Sequence, residues 1–242
     1  MSDPQGLTFE SVADDYDRGR PAWPKEMLEG IEAVDVLDLA AGTGKLTRLL
    51  LERYRHVIAV EPLAAMRALI PPAAEVLDGA AEAIPLPDDS VDAALVAEAF
   101  HWFDSRTAVS ELARVLRPAG TLLVCFNEWR GPYQPPIGER AHAVLEERWA
   151  RLPPPGGPKV DSGEWKLGFV EELFSPLEER SYDHELQTDR DGVAAYYVSM
   201  SSTAQLPPHE RAELRAELVA ALADVPYRLP LTARVFMARR KG

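Results

Sequence analysis

The residues best placed to do chemistry lie in one run, Val36-Leu37-Asp38-Leu39-Ala40-Ala41-Gly42-Thr43-Gly44, which leads directly into a segment of helical period beginning at Lys45. An apolar strand that enters a glycine-bearing turn and then a helix leaves unpaired backbone amides at the helix start. Without Cβ atoms at Gly42 and Gly44, a nucleoside-bearing ligand could approach the main chain closely. Glu61 ends the next apolar run, residues 57–60, about one strand-helix unit later. A carboxylate there can accept hydrogen bonds from both vicinal hydroxyls of a ribose, at about 1.5–3 kcal/mol for each charge-assisted bond.

The turn does not match a triphosphate cradle of the form GxxxxGK[ST]. Position 39 is Leu, and Lys45 is followed by Leu46. The dinucleotide fingerprint GxGxxG would be Gly42-Thr43-Gly44-Lys45-Leu46-Thr47, which lacks its third glycine. Because many adenosine ligands share the same ribose, Glu61 alone does not separate a nicotinamide dinucleotide from its competitors, and an NAD-dependent oxidoreductase stays open on these residues.

The elements that must hold these groups alternate in type. Apolar runs at 34–40, 57–60, 74–77, 91–97 and 120–126 read as strands, and 45–53, 64–69 and 106–116 read as helices. That alternation implies a parallel sheet covered on both faces. After Phe126, prolines at 132, 135 and 136 open an excursion of about residues 130–168, with a helix near 141–149, that is expected to form a lid over the site. Helices at 170–174, 190–200 and 208–223 and strands at 178–186 and 231–239 complete one domain spanning residues 1–242.

Composition narrows the partners. With 26 basic against 39 acidic side chains the net charge is −13, which disfavours phosphate backbones and anionic membranes. No leader-like or membrane-crossing stretch is present, so a cytoplasmic protein is expected. The single cysteine, Cys125, reads as a small core residue, and five scattered histidines imply no metal site.

Over about residues 10–126 the chain resembles the class I S-adenosylmethionine (SAM)-dependent methyltransferases, within their broad type-11 group. The segment 36–44 is similar to the first family motif, with Ala40-Ala41 where Gly-Cys or Gly-Ala is common. Gly79-Ala80-Ala81-Glu82-Ala83-Ile84-Pro85 resembles the adenine-edge motif, with Ala80 in the place of a frequent Asp. The stretches 90–96 and 112–123 resemble the fourth strand, the helix after it and the fifth strand. Ala97-Glu98-Ala99-Phe100-His101-Trp102-Phe103-Asp104 is similar to a bacterial subgroup related to trans-aconitate-type methyltransferases.

The resemblance implies a Rossmann-like three-layer α/β sandwich whose mostly parallel, seven-stranded sheet ends in an antiparallel strand. It implies SAM as cofactor. Asp38, with Ala40, Gly42 and Gly44 of the turn, would hold the methionine moiety, and Glu61 the ribose. Pro62, Leu63 and Met66 would wall the adenine, Ala81 and Glu82 would meet its edge, and Ala97 would lie beside the reactive methyl. Tyr16 and Arg20, in a segment expected to fold over SAM, would reach the methionine carboxylate.

Methyl transfer from a sulfonium is an in-line displacement, so alignment is the chief requirement and can supply up to about 7–11 kcal/mol. A base helps if the acceptor is a hydroxyl or an ammonium, and His101 is the candidate. Trp102 and Phe103 are candidate walls of an acceptor pocket. The expected partner is a small molecule bearing an O, N or carboxylate acceptor, neither nucleic acid nor membrane, with the chain a monomer or homodimer. Cofactor motifs report binding rather than turnover, so a non-catalytic SAM-binding regulatory module is the alternative.

Overall fold

The computed structural model describes residues 9–129, 137–152 and 163–242. Seven strands form one sheet: β1 (Asp35–Leu39), β2 (His56–Val60), β3 (Glu75–Leu77), β4 (Val91–Ala97), β5 (Leu116–Trp129), β6 (Glu178–Thr188) and β7 (Tyr227–Arg239). Their spatial order is β3-β2-β1-β4-β5-β7-β6. β7 alone runs against the others, pairing antiparallel with both β5 and β6. This is the Rossmann-like arrangement expected above.

Alternation along the central strands creates two cores, because successive side chains leave opposite faces of a pleated sheet. Leu37, Leu39, Ile58, Val60, Val96 and Val124 point to one face, where they meet Ala108, Val109 and Leu112 of α4 (Ser105–Val115). Val36, Val57, Ala59, Leu95 and Cys125 point to the other, where Leu46 and Leu50 of α2 (Lys45–Arg53) cover them. Cys125 is fully buried, its thiol directed at the Val96 carbonyl.

A third core lies beyond the sheet's β6–β7 side. It joins Ala141 and Leu145 of α5 (Glu139–Trp149) to Val193 and Tyr197 of α6 (Arg190–Val198) and Leu214 and Leu218 of α8 (Pro208–Ala221). Of the excursion expected as a lid, residues 130–136 and 153–162 lie outside the described residues. The described remainder packs into cores: α5 against α6 and α8, and Trp165 among Phe100, Phe126 and Phe236.

Several elements differ from the sequence reading, among them β5, which runs over Leu116–Trp129 rather than 120–126. Residues 170–174 form a hydrogen-bonded turn rather than a helix, since Phe174 is drawn into the core and bridges Arg240, with Pro176 close behind. β7 begins at Tyr227, four residues early, despite Pro230. Pro230 itself pairs with Glu185 of β6, and the described pairing of β7 with β5 begins at Leu231.

The amino-terminal helix α1 (Ala13–Gly19) crosses α6 so tightly that a Cβ at Gly19 would overlap the backbone of Ala195 and Tyr196. Asp15–Arg215 and Arg18–Asp189 ion pairs fasten α1 to α8 and to the start of α6. Backbone overlap of this kind cannot be relieved by a rotamer change. Gly19→Ala is therefore expected to destabilise the fold by about 1–3 kcal/mol and to loosen α1, measurable as a lower denaturation midpoint together with faster proteolysis near the amino terminus.

Candidate functional site

In an open α/β sheet, ligands bind beyond the carboxyl ends of the strands where the strand order reverses. Here that reversal falls between β1 and β4, which are neighbours although β2 and β3 intervene in the chain. Two adjoining cavities open there, a larger one of about 270 Å³ and a smaller one of about 80 Å³. Tyr16, Arg20, Ala40, Gly42, Ala97 and Glu98 border both.

Asp38 lines the smaller cavity and is 1% exposed. Its Oδ2 accepts a hydrogen bond from Thr47 Oγ1 at 2.6 Å, whereas Oδ1 is buried without a protein partner. Burial pushes its pKa up to about 7. Thr47 stands where the dinucleotide fingerprint would have its third glycine, so the residue that spoils that fingerprint is the one that orients Asp38.

The turn after β1 is held in left-handed backbone at Ala40 (φ 57°), Gly42 (φ 57°) and Gly44 (φ 82°). Its two glycines have different reasons. A Cβ on Gly42 would meet little besides Tyr16, leaving backbone open to the cavity, as expected. Gly44 borders neither cavity; a Cβ there would press on Pro71 and Ile70, so it serves to cap α2 against the end of α3 (Ala64–Arg67).

Glu61, at the tip of β2, is 5% exposed and borders the larger cavity. Its Oε2 accepts from the Gly42 amide and its Oε1 from the Leu63 amide, both at 2.9 Å, which pins the carboxylate in place and leaves a lone pair on each oxygen. Burial raises its pKa, against the pull of those two amides. Pro62, Leu63, Met66, Ala81 and Glu82 line the same cavity. One Glu82 oxygen is already engaged by the Asp104 amide at 3.0 Å, beside the cap of α4.

Tyr16 and Arg20 are brought to the site by α1. Arg20 donates through Nη2 to the Ser199 carbonyl at 2.8 Å and through Nε to its hydroxyl at 3.3 Å, with the guanidinium stacked between the rings of Tyr16 and Tyr196. His101, Trp102 and Phe103 border the larger cavity, and Phe9 packs edge-on against Trp102. His101 Nδ1 is buried without a partner, and burial pushes its pKa down to about 4, so the ring is neutral and weakly basic.

Sequence reasoning passed over Glu98, Asn127, Tyr196 and Ser199. Glu98 follows β4 in left-handed backbone (φ 55°), accepts the Asn127 amide at Oε1 (2.6 Å), and has its pKa raised to about 7 by burial. The available signal was an acid at the end of an apolar strand, the same one that marked Glu61. Asn127 borders the smaller cavity with an unpartnered buried Nδ2, while its Oδ1 contacts His184 at 2.6 Å. Tyr196 and Ser199 reach Arg20 only through tertiary packing, for which the chain carries no local signature.

A profile of the methyltransferase domain family matches residues 37–124. An uncharacterised methyltransferase of Mycobacterium tuberculosis is 49% identical over 128 residues, 50% of this chain and 52% of that protein. The chain thus spans about half the length of these mycobacterial relatives. An uncharacterised methyltransferase-like protein of Schizosaccharomyces pombe is 30% identical over 230 residues, 90% of this chain and 87% of its own. The chain belongs to the methyltransferase family. A candidate type II methyltransferase from Anaeromyxobacter dehalogenans superposes with a TM-score of 0.64 at 27% identity, covering 92% of this chain and 97% of that one. Family membership and the Rossmann-like sheet both imply SAM as the methyltransferase cofactor.

The raised pKa values make a stability signature. Between the ordinary value of 3.8 and about 7 the folded protein binds more protons at Asp38 than the unfolded chain does, so stability falls as pH rises through that interval. Asp38→Asn is expected to be more stable than the parent at pH 8, with the gap closing toward pH 4, in denaturant titrations without ligand. Thr47→Val, which strips the hydroxyl donor from a buried carboxylate, should cost about 1–3 kcal/mol at pH 8 in the same measurement.

Proposed function

We propose that this chain transfers the methyl group of SAM to an acceptor on a small molecule, bound over the carboxyl ends of β1, β2 and β4. The observation that carries this reading is the buried, unpartnered Oδ1 of Asp38 in a cavity that adjoins the one bordered by Glu61. A buried acceptor without a protein partner costs stability until a donor arrives, and the ammonium of an amino-acid moiety would supply one. Glu61, already fixed by two amides, would take the ribose hydroxyls, with Pro62, Leu63 and Met66 against the adenine and Ala81 and Glu82 at its edge. Ala40, Gly42 and Ala97 offer backbone to the centre of the ligand, and Tyr16 and Arg20 close over its carboxylate. The bound sulfonium supplies an electrophilic methyl group.

The protein's own contribution is then alignment and exclusion of water, for which α1 is the natural cover. A net charge of −13 favours a small acceptor over a polyanion. A neutral His101 would serve better as a wall or hydrogen-bonding neighbour than as a strong base.

Calorimetric titration with SAM, S-adenosylhomocysteine and NAD(H) tests the reading. SAM and S-adenosylhomocysteine are expected to bind and NAD(H) not; binding of NAD(H) alone would overturn it. Glu61→Ala should weaken SAM at least tenfold, about 1.4 kcal/mol, and an unchanged affinity in a folded variant would remove Glu61 from the ribose. Formation of S-adenosylhomocysteine with a metabolite panel separates an enzyme from a binding module.

A further inference from the structure

We propose that Glu98 is the carboxylate facing the transferable methyl, and that it selects an acceptor bearing an N–H or O–H group and takes that group's proton. This rests on the SAM reading above. With the sugar at Glu61 and the amino-acid end at Asp38, the residues between the two, where the cavities adjoin, would face the sulfur of an adenosyl ligand. Six residues border both cavities, and Glu98 is the only acid among them.

Its geometry is that of a held group rather than a surface charge. The backbone is fixed in the left-handed region (φ 55°), which an unbranched non-glycine residue adopts only when its surroundings impose it. The Glu98 amide donates to the Cys125 carbonyl at 2.9 Å, and Oε1 accepts the Asn127 amide at 2.6 Å. Among the described residues no hydrogen bond engages Oε2, which is left for a ligand. His101, in contrast, borders the larger cavity alone.

The step balances without a further reactant. A lone pair of the acceptor nitrogen or oxygen forms the new bond to the methyl carbon, and the sulfur–carbon bond breaks with its pair remaining on sulfur. The acceptor's proton passes to Glu98 Oε2, from which it leaves to solvent once the product departs. A near-neutral affinity for protons suits that exchange. A carboxylate acceptor would bring a second negative charge against Glu98 and needs no proton removed.

Glu98→Gln keeps the oxygen that accepts the Asn127 amide and removes the charge. SAM carries a positive sulfur that S-adenosylhomocysteine lacks, so calorimetry of both ligands reads the carboxylate's position without turnover. The variant is expected to shift the affinity ratio at least fivefold away from SAM. Equal weakening of both would put Glu98 at the amino-acid end that they share, and an unchanged ratio would put it away from the sulfur; either overturns the proposal.

With amines, phenols, alcohols and carboxylic acids as acceptors, the parent is expected to use N–H or O–H compounds only. On these Glu98→Gln should lose at least a hundredfold in kcat, and Glu98→Asp, which keeps the charge and tolerates left-handed backbone, should keep the SAM preference and recover part of the rate. Turnover confined to carboxylic acids, or of no amine or hydroxyl compound, overturns the proposal. If the parent chain fails to bind SAM at all, it is the underlying reading that has failed.

Discussion

Three carboxylates converge on two adjoining cavities: Asp38 on β1, Glu61 at the tip of β2 and Glu98 at the tip of β4, each with its proton affinity raised by burial. Parallel strands force this convergence, since their carboxyl ends all open on the same side of the sheet. The protein holds the acids by different devices, a hydroxyl for Asp38, two amides for Glu61 and one amide for Glu98. Arg20, committed to Ser199, and Lys45 are the cations that border these cavities among the described residues, and Arg67 acts on Glu61 electrostatically.

The cover of the site depends on parts of the chain far apart in sequence. α1 can reach the turn after β1 only because Gly19 lets it sit against α6, and α6 in turn is embedded in the core shared with α5 and α8. Tyr196 and Ser199 thereby become neighbours of Arg20. Residues after the sheet's fifth strand thus contribute to a site whose recognisable motifs all precede it.

Much of this was legible in the sequence, for local reasons. Apolar runs of strand length, alternating with helical periods, located β1, β2, β4 and β5, because buried parallel strands need continuous apolar residues, whereas β6 is largely polar and exposed. Asp38, Gly42 and Glu61 could be singled out because each sits at a strand end or turn where neighbours in sequence are neighbours in space. Gly44, expected at the ligand, also answers to Ile70 and Pro71, 26 and 27 residues further along the chain, a contact that no motif displays. The early start of β7 was hidden by Pro230, because a proline argues against a strand until its pairing is seen. The turn at 170–174 looked helical because a short apolar stretch fits either period.

The buried thiol has a practical consequence. Cys125 lies in mid-strand between β4 and β7, fully covered, and burial raises its pKa well above the ordinary thiol value. Alkylating reagents need the thiolate and a path to it, and neither exists until the centre of the sheet separates. The chain therefore carries a built-in clock for its own opening: the pace at which its single thiol is labelled measures how often the innermost strands part.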